Sequence, residues 1–341
     1  MAAVAALLLL LTGVSATACS GAKGGLKVGL AYAIGGPGDD GFNDSALAGL
    51  NKARTDLKGS VDSVRALTAR DNETDEDQYQ RLSLLCEAGY DPVIAVGFTY
   101  AGTDPASGPL ARAAQDCPKT RFAIIDDDTV TRSNVANLVF ADEQGSYLMG
   151  VVAASKSTSK IVGFVGACEA PVITRFLAGF EAGARAITPE VTVKTAYLSS
   201  DPQQCDFTDP TSAQSTAAGL YAGGADVVFQ VAGGAGVGVF RAAKNAGKLA
   251  IGVDEDQYKT VDAALRPVIL TSMVKHVDVA VFDFISSVVR DKFTAGVRRY
   301  DLADGGITVA TSGGQITSLE PLLAEYRSKI VSGAIKVPTT P

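Results

Sequence analysis

Residues 27–46 read KVGLAYAIGGPGDDGFNDSA. A short run of apolar and β-branched residues, 27–32, ends in a glycine-rich loop, and the loop opens into an alanine-rich helical pattern. Further runs of the first kind fall at 61–67, 92–96, 121–125, 160–165, 191–197, 226–231 and 249–253. Helical patterns such as 75–88, 143–154, 173–186 and 212–221 lie between most of them. Strands that alternate with helices imply parallel sheets covered by helices on both faces. There are too many strands for one small sheet, and the series restarts near Lys160, so the expectation is an α/β protein of two similar halves.

The size agrees. A chain of 341 residues has room for about two domains at roughly 150 residues each. Hydrophobic residues make up 47% and charged residues 20%, which excludes disorder, and no glycine period or heptad run supports collagen or coiled coil. The net charge is −7, and no charge precedes Lys23, so the folded body is acidic and is not expected to bind nucleic acid or anionic membranes. His276 is the only histidine, which rules out poly-histidine metal sites.

Residues 2–11 are an unbroken apolar run, followed by small residues and then Ala16-Thr17-Ala18-Cys19. Ten apolar residues are too few to span a bilayer but fit the core of an export signal. Small residues directly before a cysteine are the pattern that lipoprotein signal peptidases cut. Residues 1–18 therefore read as a lipoprotein signal peptide, Cys19 as the lipidated first mature residue and 19–25 as a flexible tether. A simple secretory signal is the alternative, and both imply export.

The informative residues stand directly after strands. Phe42 follows the first, Gly97 and Phe98 follow Val96, Asp126 follows Ile125, Phe207 lies beyond Tyr197, Gly233 follows Val231 and Asp254 follows Val253. Ligands of open parallel sheets bind outside the carboxyl ends of the strands, so these residues should meet in one cleft. Phe42 offers a stacking face and Asn43 both a donor and an acceptor. The plain alternative is that Asp44 or Ser45 caps a helix while Phe42 enters the core. The segment VAGGAGVGVF, 231–240, lacks the GxGxxG spacing of dinucleotide sites, and no GxxxxGK[ST] occurs. The clusters Asp126-Asp127-Asp128 and Asp254-Glu255-Asp256 could hold a hard cation or simply be solvated. The preferred reading is that Asp126 and Asp254 accept hydrogen bonds from ligand hydroxyls or ring N–H groups. Lys275, after the strand-like PVILTSMV, would donate to the same ligand, and His276 is more fitting as a hinge or surface residue than as a catalyst. No serine has a GxSxG setting, so nucleophilic hydrolysis has little support.

Taken together, KVGLAYAIGG with DDGFND, VIAVGF, FAIID, NLVFADEQGSYLMG, KIVGFVGACEAPVITRFLAGFEAG, FQVAGGAGVGV, IGVDEDQ and TSMVKHVDVAV resemble the basic membrane protein family. Those are purine-nucleoside-binding lipoproteins of bacterial ABC transporters. The resemblance implies a type I periplasmic-binding-protein fold, with two Rossmann-like lobes joined by a multi-strand hinge. It implies crossings near Ala141, Thr271 and Phe293, hence one lobe of 26–141 plus 272–293 and a second of 142–271 plus 294–341. By position it implies that Phe42 and Phe207 sandwich a purine, Asn43 and Asp126 meet its polar edge, and Asp254 and Lys275 hold the ribose. Gly233 and Gly234 would supply close backbone, an ABC permease would be the partner, and no cofactor is required. The family usually has aspartate nine positions before the loop phenylalanine; here that position is Ala33, which leaves the preferred nucleoside open. A binder of another small ligand such as a sugar, or a nucleoside hydrolase using the acidic clusters, are the competing readings.

Cys86, Cys117, Cys168 and Cys205 remain besides Cys19, and four cysteines allow three pairings. Strand order separates them. Cys86 and Cys117 end helices that lead into strands, at the sheet edge away from the cleft, whereas Cys168 and Cys205 follow strands at the cleft edge. The expected pairs are therefore Cys86 with Cys117 and Cys168 with Cys205.

Overall fold

The computed structural model describes residues 24–70, 73–201 and 204–341. Residues 1–18, expected to be a signal peptide, and Cys19 lie outside the described residues. The first sheet holds β1 (Leu26–Ala31), β2 (Val61–Leu67), β3 (Val93–Ala95), β4 (Phe122–Ile125), β5 (Val135–Phe140) and β11 (Gly296–Tyr300) in the order β11-β5-β4-β3-β1-β2, all parallel. The second holds β6 (Ile161–Cys168), β7 (Thr192–Ser199), β8 (Val227–Val231), β9 (Leu249–Asp254), β10 (Ile269–Lys275) and β12 (Ile307–Val309) in the order β12-β10-β9-β8-β6-β7. Only β12 runs antiparallel to its neighbour among these pairs. The two orders correspond strand for strand, so β4 and β9 hold equivalent places, as do β1 and β6.

Helices α1 (Phe42–Asp56), α2 (Asp75–Glu87), α3 (Pro109–Asp116) and α9 (Val277–Val289) accompany the first sheet. The second carries α4 (Asp142–Lys156), α5 (Pro171–Ile187), α6 (Pro210–Ala222), α7 (Val237–Ala246), the short α8 (Gln257–Thr260) and α10 (Glu320–Val331). Strands inside such a sandwich are apolar on both faces, and β4, β5, β8 and β10 are buried along their whole lengths. At the edges the pattern changes: β11 (GVRRY) is exposed up to Tyr300 and β7 is mostly half-buried. Helices α4 and α5 approach closely because α5 presents glycine. A Cβ at Gly179 would stand 2.1 Å from the Glu143 carbonyl oxygen, and one at Gly183 would stand 1.9 Å from that of Tyr147.

The chain passes between the sheets at three places. The first is Ala141, between β5 and α4. The expected crossing near Thr271 lies later, because β10 pairs with β9 and β12 through Lys275, so the chain leaves the second sheet only at His276. The crossing expected near Phe293 also lies later. Phe293 packs edge-on against Phe284 of α9 in the first lobe, and β11 then joins β5, so the return follows Tyr300. Lobe 1 is thus residues 26–141 and 276–300, and lobe 2 is 142–275 and 301–341. The crossings are stitched side by side: Ala141 N donates to Tyr300 O (2.8 Å), His276 N to Gly306 O (2.9 Å) and Leu302 N to Gln144 Oε1 (3.3 Å). Glu143 pairs with Arg299 in the same region, and the His276 ring lies between Asp278 of lobe 1 and Thr308 of lobe 2.

Disulfides join Cys86 to Cys117 and Cys168 to Cys205. The first ties α2 to the end of α3 in lobe 1; the second ties the end of β6 to the loop that precedes Phe207. Among the described residues no helix is long and apolar enough to cross a membrane.

Candidate functional site

A cavity of about 260 Å³ lies between the lobes, at the carboxyl ends of both sheets. That volume suits a small molecule largely enclosed by protein. All eight residues singled out in the sequence, Phe42, Asn43, Asp126, Phe207, Gly233, Gly234, Asp254 and Lys275, line it.

The loop after β1 forms one wall, and Asp39 builds it. Its carboxylate accepts from the backbone of Gly41 (3.0 Å), Asn43 (2.9 Å) and Asp44 (3.1 Å) and from Asn43 Nδ2 (3.0 Å). Asp39 therefore satisfies the first amides of α1, whose own N-cap is Gly41 without a side chain. Neither Asp44 nor Ser45 does so; Asp44 instead accepts from Gly38 N and Asp40 N. This loop sets Phe42 half-buried at the helix start with its ring in the cavity wall. Asn43 is spent within the loop: its Oδ1 accepts from Ala33 N (3.0 Å), and its amide donates to Asp39 and, at 3.5 Å, to Ile34 O. Its polar atoms are thus committed to loop structure, a use that the isolated motif does not reveal.

Lobe 2 brings Phe207 against Gly233, where φ is +53° and a Cβ would lie 3.2 Å from the Phe207 ring. A side chain there would displace that ring. The lobes nearly touch across the cleft, since a Cβ at Gly234 would be 3.8 Å from Asp39 Cβ and one at Gly35 would be 3.6 Å from Thr208.

The opposite end is charged. Asp126 directly follows β4 and Asp254 ends β9, the equivalent strands of the two sheets, and both have left-handed backbone, with φ of +70° and +66°. Such conformations cost on the order of 1–3 kcal/mol for non-glycine residues and cluster at ligand sites. Lys275 Nζ donates to Asp126 Oδ2 at 2.7 Å, with Oδ1 equally near but off the hydrogen-bond direction, and lies 3.1 Å from Asp142 Oδ1. Lys275 is 1% exposed, and its ammonium is surrounded by the rings of Phe140, Phe176 and Phe42 at 4.9, 5.4 and 5.5 Å. Burial pushes the Asp254 carboxyl up to about 7 against the pull of Lys275, and the negative charges of Asp126, Asp39 and Asp142 add to the rise. Burial likewise pushes Asp142 up to about 7, with Lys275 opposing and Asp126 and Glu143 adding. Burial opposes the charge of Lys275, but Asp126, Asp142 and Asp254 outweigh it and raise its pKa. Three carboxylates thus face one ammonium, a surplus that hydroxyl or N–H donors of a ligand would relieve.

The sequence does not mark Asp39, Asp142 or Phe176. Phe98, marked by its place after β3, lines the cavity beside Gly97. Phe176 looks like one more core residue of an apolar helix face. The available signal was that Val172, Ile173 and Phe176 occupy the first two turns of a helix that directly follows a strand end. Of the acidic clusters, Asp127 folds its own loop by accepting from Thr129 and Val130, and Asp256 accepts from Ser312. Among the described residues no group of His, Cys, Asp or Glu is arranged to hold a metal ion.

Two α/β lobes crossed three times by the chain, with a partly apolar, partly acidic cavity between them, define a type I periplasmic-binding fold of the solute-binding class. The chain belongs to the ABC transporter substrate-binding protein PnrA-like family, whose profile matches residues 27–340. It is similar to the ABC transporter nucleoside-binding protein BmpA of Lactococcus lactis subsp. cremoris, 31% identical over 340 residues that cover 94% of this chain and 92% of that one. It is similar also to Basic membrane protein A of Borreliella burgdorferi, at 30% identity over 98% of this chain and 95% of the relative. Among solved structures, an ABC transporter system solute-binding protein from Aeropyrum pernix K1 superposes with a TM-score of 0.77 at 28% identity, covering 92% of this chain and 94% of that one. The family is one of substrate-binding proteins of ABC transporters.

Proposed function

We propose that this protein captures purine nucleosides in the interlobe cavity and delivers them to an ABC import permease, held at the outer face of the membrane by lipid on Cys19. The observation that carries the reading is the division of the cavity. Phe42 from lobe 1 and Phe207 from lobe 2 give it aromatic faces from both sides, and Asp126, Asp254 and Lys275 give it a polar end. A planar base joined to a polyhydroxylated sugar matches that division: the base stacks, and ribose hydroxyls donate to Asp254 while Lys275 keeps a third N–H after serving its two carboxylates. The nucleoside-binding name of the Lactococcus lactis relative supports the same ligand class. Asn43 shapes the loop, and Gly233 and Gly234 allow close backbone. Ala33 gives the base end one carboxylate fewer than the family pattern. The test is titration calorimetry of the mature chain with inosine, adenosine, guanosine, uridine, free hypoxanthine and ribose. Purine nucleosides should bind far more tightly than ribose or the free base; preferential binding of ribose or another free sugar would replace this reading with that of an exported sugar binder.

A further inference from the structure

We propose that Asp142, which does not line the cavity, is a positioning residue for ligand capture: it holds the Lys275 ammonium in place from the hinge side. The proposal rests on reading the cavity as the ligand site. Lys275 ends β10 in lobe 2, and Asp126 directly follows β4 in lobe 1, so their 2.7 Å pair spans the cleft and depends on how close the lobes stand. Asp142 is the first residue of α4, immediately after the crossing at Ala141, and belongs to the same lobe as β10. Its 3.1 Å approach to Lys275 is therefore set within one lobe.

That approach is rigid. Ala141 N is tied to Tyr300 O, Ser146 Oγ contacts Met273 Sδ at 3.6 Å, and a Cβ at Gly145 would stand 2.7 Å from the same sulfur, so α4 lies directly on β10. Asp142 is 1% exposed and its Oδ1 has no aligned hydrogen-bond donor, which leaves the Lys275 ammonium as the charge that compensates it. The rings of Phe42, Phe140 and Phe176 surround that ammonium. Lys275 and Asp142 are both buried, and a buried charge deprived of one counter-ion is strongly disfavoured. A lysine stem also carries several free rotamers, so an anchor that persists when the lobes separate keeps the donor preset for the next ligand. Glu143, the neighbouring acid, serves Arg299 across the hinge and not Lys275.

The test uses the full chain, labelled with ¹⁵N-lysine, as wild type, Asp142→Asn and Glu143→Gln. NMR of the ligand-free protein reads the slowly exchanging ammonium of buried Lys275, and calorimetry reads inosine binding. In Asp142→Asn the protected ammonium signal should shift or broaden, and inosine affinity should fall about tenfold, the scale of a hydrogen bond to a charged group. Glu143→Gln should leave the Lys275 signal in place. Should Asp142→Asn not fold, Asp142→Glu retains the charge but moves it by one methylene, and should still shift the signal and weaken binding. An unchanged lysine signal overturns the proposal whether or not a nucleoside binds. A changed signal with unchanged affinity overturns it as a determinant of capture. A wild type that ignores inosine while binding another ligand tightly overturns the nucleoside reading instead, and the affinity arm is then read with that ligand.

Discussion

Phe42 lines the cavity for a reason that its place in the sequence gives only in part. Its place after the first strand marks it as a cleft residue, but what aims it is Asp39, whose carboxylate gathers four N–H groups of the loop and first helical turn. Base stacking on an aromatic ring contributes roughly 1–3 kcal/mol, so Phe42→Ala should weaken purine nucleoside binding about tenfold or more by calorimetry. Equal affinities would remove Phe42 from the site. The Asp254 carboxyl carries a second prediction, in pH. Burial pushes it up to about 7, and hydroxyl donors from a ligand would favour its ionised form. Binding therefore lowers that pKa and releases protons near neutrality. By linkage, affinity should be full above about pH 7 and decline as pH falls below it. Calorimetry near pH 7 in buffers of different ionisation enthalpy measures the release, which should shrink in Asp254→Asn; proton uptake would contradict the assignment. Asp39, Asp142 and Phe176 were not legible as site residues because their roles depend on what faces them across space. A carboxylate beside glycine and a phenylalanine on an apolar helix face look the same whether or not a cavity lies beyond.

At the scale of elements, buried strands such as VVFQV and FAII were legible because continuous apolar runs have few other uses, whereas the equally buried β5, VANLVF, was not among the expected strands. The edge strand β11 was not, since Arg298 and Arg299 give it the look of a surface loop, and edge strands carry such charges. The late crossings have the same root. A chain that changes lobes where a buried strand like ILTSMVK runs straight into an apolar helix leaves no composition boundary to mark it. The cysteines were tractable because each sits at a strand or helix end whose side of the sheet follows from topology. The bridges close segments of 31 and 37 residues, which the chain-entropy account rates at about 3–4 kcal/mol each. Cys86→Ser should lower thermal stability and leave ligand affinity nearly unchanged. Cys205→Ser should also lower affinity, because Cys205 lines the cavity and stands two residues before Phe207. If both variants lose only stability, the second bridge does not position the loop.

For the whole molecule, correspondence between the two sheet orders explains why Asp126 and Asp254 meet at one cavity: they stand at the carboxyl ends of equivalent strands of two lobes that face each other. The hinge consists of three adjacent crossings joined by backbone hydrogen bonds, a geometry suited to rocking the lobes without breaking either sheet. Closure on a ligand would then present both lobes together to a permease. The membrane link is tested separately. Cys19→Ser should release the protein from membranes, since stable anchoring needs more than one acyl chain or signal, and unchanged retention would show that the cysteine is not the anchor. The central claim is that the interlobe cavity takes a base and a ribose together. Native mass spectrometry of the mature chain in an equimolar mixture of purine nucleosides, pyrimidine nucleosides, free purine bases and ribose tests it most directly. The predicted result is a one-to-one adduct with the mass of a purine nucleoside, diminished in Phe42→Ala and Asp254→Asn; an adduct with ribose or free base alone, or one equally strong in both variants, would contradict it.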